Sequence, residues 1–176
     1  SIKTVEFSSN VEKISNNAFM GCTSLKSVAL NNKLTTISYS SFNSCTSLKE
    51  ITIPNSVETI GDYAFYKCTS LSNELVIPSS VTSIGNYAFA EDNKIPSVDI
   101  KGNPNGTTVG DYSFQNVSNA TSLKFGNVTS IGSYAFNNCT LLYGKLTIPD
   151  SVTTIKNNAF SYCKSITEID FSKNLD

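Results

Sequence analysis

Hydrophobic positions recur along this chain with a period of 22 to 25 residues, and one phenylalanine marks each period. The markers are Phe19, Phe42, Phe65, Phe89, Phe114, Phe136 and Phe160. Self-similarity at a fixed period of this length is typical of stacked repeats, in which each unit buries its apolar face against the next. The pattern therefore predicts a single repeat solenoid of about seven units over residues 1–176, with these phenylalanines in its core.

Within one unit, the apolar positions predict a short strand, a second apolar pair and a compact turn. Residues 48–53 alternate as a β-run, which Pro54 ends because proline cannot donate to a continuing ladder. Residues 57–60 hold the second apolar pair, and Asp62 is a candidate N-cap for a helical turn over 63–68. We therefore expect a main parallel sheet with one strand per unit. Short helical or 3-10 turns lie on its other side, with a smaller second set of strands near 57–60.

Five cysteines extend the predicted core column, each three residues after a phenylalanine. They are Cys22, Cys45, Cys68, Cys139 and Cys163. No C-x-x-C pair is present, which excludes a zinc ribbon. Stacked units would bring neighbouring Cα atoms to roughly 5 Å, within disulfide range, but parallel side chains rarely reach the disulfide dihedral and the count is odd. We interpret these residues as free buried thiols, with disulfides as the alternative. Asp92 and Val117 occupy the same position in two other units.

The composition excludes several classes of function. The chain is 39% hydrophobic with a formal net charge of −1, and it contains no His, no Arg and no Trp. The commonest general base and zinc ligand is therefore missing, as is the bidentate phosphate contact of arginine. The lysines are scattered singly and the apolar runs are short, which argues against nucleic-acid binding and membrane insertion. We expect no metal, no cofactor and no enzyme activity.

The outward strand positions are the candidate ligand-binding face. Unit by unit they are Glu6, Ala29, Thr52, Val76, Asp99, Lys124, Thr147 and Asp170. The acidic members are three or more units apart, hence roughly 14 Å or more, whereas a hydrolytic pair needs about 5 to 9.5 Å. This spacing predicts that the face holds no such pair. Asp99 and Lys124 fall on adjacent units, where an exposed ion pair is worth under about 1 kcal/mol.

Tyr63, Tyr87, Tyr112 and Tyr134 share one phase of the repeat, immediately before the Ala-Phe step or its equivalent. Such a stripe is either packing at the rim of the stack or a ladder of binding residues. We favour packing, because the position belongs to the repeat. An insertion at 101–108 is rich in turn residues, and it is either drift in an exposed turn or a loop that binds a ligand.

The unit that begins at Leu48 reads LKEITIPNSVETIGDYAFYKCTS, and the stretch Leu146–Cys163 matches it closely. This pattern resembles the BspA-like, or Treponema-type, leucine-rich repeat over essentially the whole chain. The resemblance implies a surface or secreted protein of a bacterium or parasitic protist, associated with adhesion and with binding host or matrix proteins. We therefore expect a non-enzymatic extracellular or cell-surface scaffold whose partner is a protein or other macromolecule.

The two ends of the sequence favour an alternative function. Ile2 stands at the first position of a unit, and residues 165–176 begin an eighth unit without a polar cap. Isolated arrays ordinarily require such caps. We therefore expect that the array continues in a longer chain or that its ends associate with other copies. In the second case the chain is a structural module that stacks end to end.

Overall fold

The structure, a computed structural model, describes residues 1–171, which form short strands and turns. One set of strands comprises β1 (Thr4–Glu6), β3 (Ser27–Ala29), β6 (Leu75–Ile77), β8 (Ser97–Ile100), β10 (Ser122–Phe125), β12 (Gly144–Thr147) and β14 (Ile166–Asp170). The other set comprises β2 (Lys13–Ile14), β4 (Thr36–Ile37), β5 (Thr59–Ile60), β7 (Ser83–Ile84), β9 (Thr107–Val109), β11 (Val128–Ile131) and β13 (Thr154–Ile155). Each unit contributes to both sets except the unit of Thr52, which has a strand in the second set only, so the chain winds as a solenoid of about seven turns.

The second set forms one continuous parallel sheet, in the order β2-β4-β5-β7-β9-β11-β13. The first set is interrupted and forms three separate sheets, β1-β3, β6-β8-β10 and β12-β14. The prediction of a parallel solenoid is confirmed, but the expected ranking of its two sheets is wrong. The units vary in length just before the strands of the first set, so these strands lose their register with neighbouring units. Strands of the second set, such as Thr59–Ile60, keep a constant spacing to the turn that follows and therefore stay in register.

The predicted helical turns are absent from residues 1–171, and left-handed turns replace them. Tyr63 (φ 57°) and Lys67 (φ 58°) both have left-handed backbone conformations. The equivalent two positions are left-handed in all the turns, from 17–21 to 158–162. A left-handed residue at every fourth position interrupts a right-handed helix before its hydrogen bonds can form. The prediction of helical or 3-10 turns is therefore wrong.

Backbone hydrogen bonds in these turns alternate between neighbouring units and local closure. Phe65 N–H donates to Ala88 C=O of the next unit (2.8 Å), whereas Tyr66 N–H donates to Tyr63 C=O within the turn (3.1 Å). Asp62 does not cap a helix; its carboxylate accepts a hydrogen bond from Asn86 N–H of the next unit at 2.7 Å. The turns thus join the units much as the sheets do.

The core is a set of columns that run the length of the solenoid. Phe42, Phe65, Phe89, Phe114 and Phe136 are fully buried and stack on one another, with ring centroids 5.1 to 5.4 Å apart. Phe19 and Phe160 continue the stack but are half-buried, because the outermost turns are covered on one side only.

Close contact between turns favours glycine at one recurring position in four of the units. A Cβ atom at Gly85 would lie 2.4 Å from the backbone nitrogen of Asp62 in the preceding unit. Gly110 and Gly132 meet the preceding backbone at similarly short distances. In the four turns that have it, this glycine therefore allows consecutive units to stack closely. Ser15, Ser38 and Lys156 occupy the same position in the other turns.

Candidate functional site

The predicted ligand-binding positions lie on the interrupted sheets, where strand register aligns them across units. In register, Glu6 faces Ala29, and Thr147 faces Asp170. Asp99 faces Val76 on one side and Lys124 on the other. Thr52 lies in a segment without strand pairing. The positions therefore form a line that is broken beside Thr52 and again between β10 and β12.

Ion pairing along this line differs from the expectation for adjacent units. Asp99 faces Lys124 in register, yet its carboxylate pairs with Lys101, two residues further along the same chain segment, at 2.7 Å. Both lysines are exposed, and Lys101 reaches the carboxylate because residues two apart in a strand point to the same side. Within the described residues, Lys124 is left without an ion pair.

The prediction that this face holds no close carboxylate pair is wrong at the last strand. Glu168 and Asp170 each lie 3.0 Å from the ammonium of Lys145, so their carboxylates are neighbours. A strand of this length presents two outward positions, whereas the prediction allowed for one outward position per unit. Both carboxylates are about half exposed on an open strand surface, which lacks the enclosed geometry of a hydrolytic site.

The first break in the line is bridged by a side chain. Ile51 N–H donates to the side-chain oxygen of Asn73 (3.2 Å), and the side-chain amide of Asn73 donates to Ile51 C=O (3.0 Å). The unit of Asn73 has one more residue between Leu71 and Leu75 than its predecessor has between Leu48 and Ile51. A carboxamide thus takes the place of the missing backbone partner, with a cavity of about 340 Å³ around it.

The second break is an open cleft of about 530 Å³ between β10 and β12. Its lining includes Leu123, Phe125, Leu146 and Ile166, together with Lys124. The unit that follows the break again has an extra residue, and Gly144 stands where Asn73 stands in the earlier unit. Neither break was predicted from the sequence, although the longer spacing before these two strands indicates both.

The tyrosine stripe is a stack of parallel rings on the turn side. The rings of Tyr63, Tyr87, Tyr112 and Tyr134 follow one another at centroid distances of 4.6 to 4.9 Å, with interplanar angles of 4 to 7°. Burial and the neighbouring phenols raise the pKa values of Tyr63 and Tyr87. The internal ring faces are occupied by other tyrosines, which supports the packing interpretation.

The cysteines form a second column beside the phenylalanines, and all five are free thiols. Cys45, Cys68 and Cys139 are buried, whereas Cys22 and Cys163 at the outer turns are half-buried. Each thiol from the second unit onwards donates to a phenylalanine carbonyl of the preceding unit; for Cys68 and Phe42 the distance is 3.2 Å. Burial raises the pKa of Cys163 to about 11 and that of Cys139 further.

Asp92 occupies the cysteine position of the fourth unit and is fully buried. Neither of its carboxylate oxygens has a hydrogen-bond partner within the described chain. Burial raises the pKa of Asp92 well above its usual value; the backbone of Cys68 opposes this effect in part, and the charge of Glu91 adds to it. Because a charged carboxylate is very costly in an apolar core, the neutral acid is the favoured form.

Residues 1–171 contain no group of three or more His, Cys, Asp or Glu residues that could hold a metal ion. They also contain no helix with the length and hydrophobicity that crossing a bilayer requires.

Comparison with known proteins agrees with this architecture. A leucine-rich repeat protein from Eubacterium ventriosum aligns over 92% of this chain with a TM-score of 0.82 and 23% identity. The Treponema pallidum leucine-rich repeat protein aligns over 84% with a TM-score of 0.70 and 31% identity. The pneumococcal vaccine antigen PcpA aligns over 98% with a TM-score of 0.59 and 21% identity, which is a likeness of fold alone.

This chain spans only part of each of those proteins: 43% of the Eubacterium chain, 65% of the Treponema chain and 42% of PcpA. No curated protein matches it in sequence. The sequence model of the BspA-type leucine-rich repeat region matches residues 1–105 and 94–176, with six copies. Together with the unit pattern and the solenoid, this match means that the chain belongs to the BspA-type leucine-rich repeat family.

Proposed function

We propose that this chain is a non-enzymatic recognition scaffold of the cell surface or extracellular space, which binds a protein partner through the interrupted sheets. The observation that carries the proposal is the line of outward positions, which strand register aligns across units and which includes the exposed Val76. An extended face built from successive units is what solenoids use for macromolecular binding. Membership of the BspA-type family supports the surface location.

The non-enzymatic part of the proposal has its own support. The chain has no histidine, and the close carboxylates Glu168 and Asp170 are exposed and engaged with Lys145. Asp92, the buried acid with a raised pKa, lies in the core column and away from the outward line. A catalytic acid would need to reach a substrate, and Asp92 is covered on all sides.

Saturable binding of the 176-residue chain to an immobilised basement-membrane extract tests the proposal. Val76→Lys places a charge on the outward line and should weaken binding roughly tenfold, as expected for an interface residue. Lys67→Glu, on the turn side, is the matched control and should leave binding unchanged. Absence of saturable binding, or equal loss in both variants, would overturn the proposal.

A structural module that stacks end to end is the second candidate. The observation in its favour is that β1 and β14 are each paired on one side only in the described chain, with Ile169 exposed within β14 and Phe171 exposed directly after it. Unpaired strand edges with apolar side chains are templates for association. Sedimentation of the 176-residue chain over a concentration series tests it: growing oligomers support stacking, and a monomer at all concentrations rejects it.

A further inference from the structure

The cleft between β10 and β12 presents unpaired backbone groups as well as apolar side chains. β10 pairs with β8 alone, and β12 pairs with β14 alone. On the β8 side, Gly126 N–H donates to Ile100 C=O at 2.7 Å. Backbone groups in a strand alternate sides residue by residue, so those of Leu123 and Phe125 point away from β8, into the cleft.

The opposite wall has the same character. Ile148 N–H donates to Asp170 C=O at 2.9 Å, on the β14 side. By the same alternation, the backbone groups of Lys145 and Thr147 point towards the cleft. Two strand edges with free donors and acceptors therefore face each other across a space of about 530 Å³.

The structure contains an internal example of what such an edge binds. At the earlier break, Ile51 has the position of Leu123, and the carboxamide of Asn73 accepts from its N–H and donates to its C=O. An amide is thus a fitting ligand for this edge. Gly144 has no side chain to supply one, so the equivalent site at Leu123 is left open.

The charge beside the cleft indicates the kind of segment that would fit. Lys124 is exposed on β10, and its facing carboxylate, Asp99, is held by Lys101 at 2.7 Å. Within residues 1–171, Lys124 forms no ion pair. An acidic side chain on the bound segment would gain this lysine as a partner.

We propose that the cleft between β10 and β12 binds an extended, acidic peptide segment of a protein partner. The segment pairs with the Leu123–Phe125 edge through its backbone amides, and its carboxylate contacts Lys124. This inference rests on the proposed function, and it names the site and the chemistry of the partner. Strand addition of this kind draws affinity from main-chain hydrogen bonds and specificity from side-chain pockets.

The chain itself supplies a probe. β14 pairs with the edge of β12 that corresponds to the Leu123–Phe125 edge of β10, and β14 carries Glu168 and Asp170. The probe is therefore an acetylated, amidated hexapeptide with the sequence of residues 166–171. A second peptide, with Gln and Asn in place of the two acids, is the control for charge.

The test is titration of the isotope-labelled 176-residue chain with both peptides, followed by NMR. The proposal predicts saturable shifts of the Leu123 and Phe125 amides and slower hydrogen exchange at both. Lys124→Gln should weaken the acidic peptide about three- to fivefold and leave the neutral peptide unchanged, as expected for a partly exposed ion pair. Lys94→Gln, at an exposed position that does not line the cleft, is the control and should change neither affinity.

Shifts confined to residues outside the cleft, or no binding at millimolar peptide, would overturn this inference. Equal affinity for both peptides would overturn its acidic component. Either failure is separate from failure of the proposed function, since the matrix-binding assay with Val76→Lys does not depend on this cleft. A chain that binds matrix proteins but neither peptide would retain the scaffold function and lose this site.

Discussion

The rings of Phe65 and Phe89 lie 5.1 Å apart between centroids and within 8° of parallel, although 24 residues separate them in the chain. Both are fully buried. Phe65 also stacks on Phe42, so its ring is covered on both faces. The marker residue of each inner unit is therefore held by the two units beside it.

Replacing Phe65 with Ala should lower the free energy of unfolding by about 3 to 5 kcal/mol, because it leaves a large cavity between two rings. Phe19→Ala is the matched control and should cost less, since Phe19 is half-buried at the end of the stack. Chemical denaturation of both variants measures the difference. Equal losses at the two positions would contradict the account of the core.

The stacked repeats, their period and the core columns could be predicted from the sequence, because each depends on a side chain that recurs in phase. The turns at 63–67 could not, since Tyr63 and Lys67 are residues that rarely adopt a left-handed backbone, and their conformation depends on bonds to the next unit. Stacking compensates for the local preference of these residues.

The candidate site was only partly predictable for a related reason. Outward positions such as Val76 and Asp99 follow from alternation, and register aligns them. The breaks at Asn73 and Gly144 depend on a single extra residue, whose effect differs with the side chain at that point. Asn73 closes its break with an amide, and Gly144 leaves its break open.

Asp92→Cys should stabilise the protein at neutral pH, because a thiol fits the column in which Asp92 is buried without a hydrogen-bond partner. The folded-state pKa of Asp92 is raised above its ordinary value of 3.8. The wild-type chain therefore loses stability as pH rises from about 4 through that raised pKa, whereas the variant does not. The stability advantage of Asp92→Cys over the wild-type chain should be small near pH 4 and larger at pH 7.5.

Urea denaturation of both proteins at the two pH values measures this difference. The Asp92 carboxyl interacts electrostatically with Glu91 and with the thiol of Cys68. Both of these residues are present in the wild-type chain and in the variant. An advantage that is independent of pH would mean that Asp92 does not change its protonation in this range.

Tyr87→Asn should lower the free energy of unfolding by about 1 to 2 kcal/mol, through loss of stacking on Tyr63 and Tyr112. Asparagine tolerates the left-handed backbone of this position, so the ring is the principal change. Tyr162→Asn is the matched control: Tyr162 is also left-handed but is 67% exposed, and its loss should have little effect. Unchanged stability in Tyr87→Asn would favour a binding role for the stripe over packing.

Asn73→Ala should cost about 1 to 2 kcal/mol, because it removes both hydrogen bonds to Ile51. Asn93→Ala, at an exposed position near the end of the same unit, is the control and should be close to neutral. Thermal unfolding monitored by circular dichroism compares the two. A loss no greater than that of the control would mean that the carboxamide does not bridge the break.

Residue-resolved amide hydrogen exchange tests the central claim most directly, since the claim is that neighbouring units are joined by backbone bonds everywhere except at defined breaks. It predicts slow exchange at Phe65 and Phe89 in the turns and at Ile51, whose N–H donates to Asn73. It predicts fast exchange at Leu123, whose N–H faces the open cleft. Exchange at Leu123 as slow as at Ile51 would contradict the account.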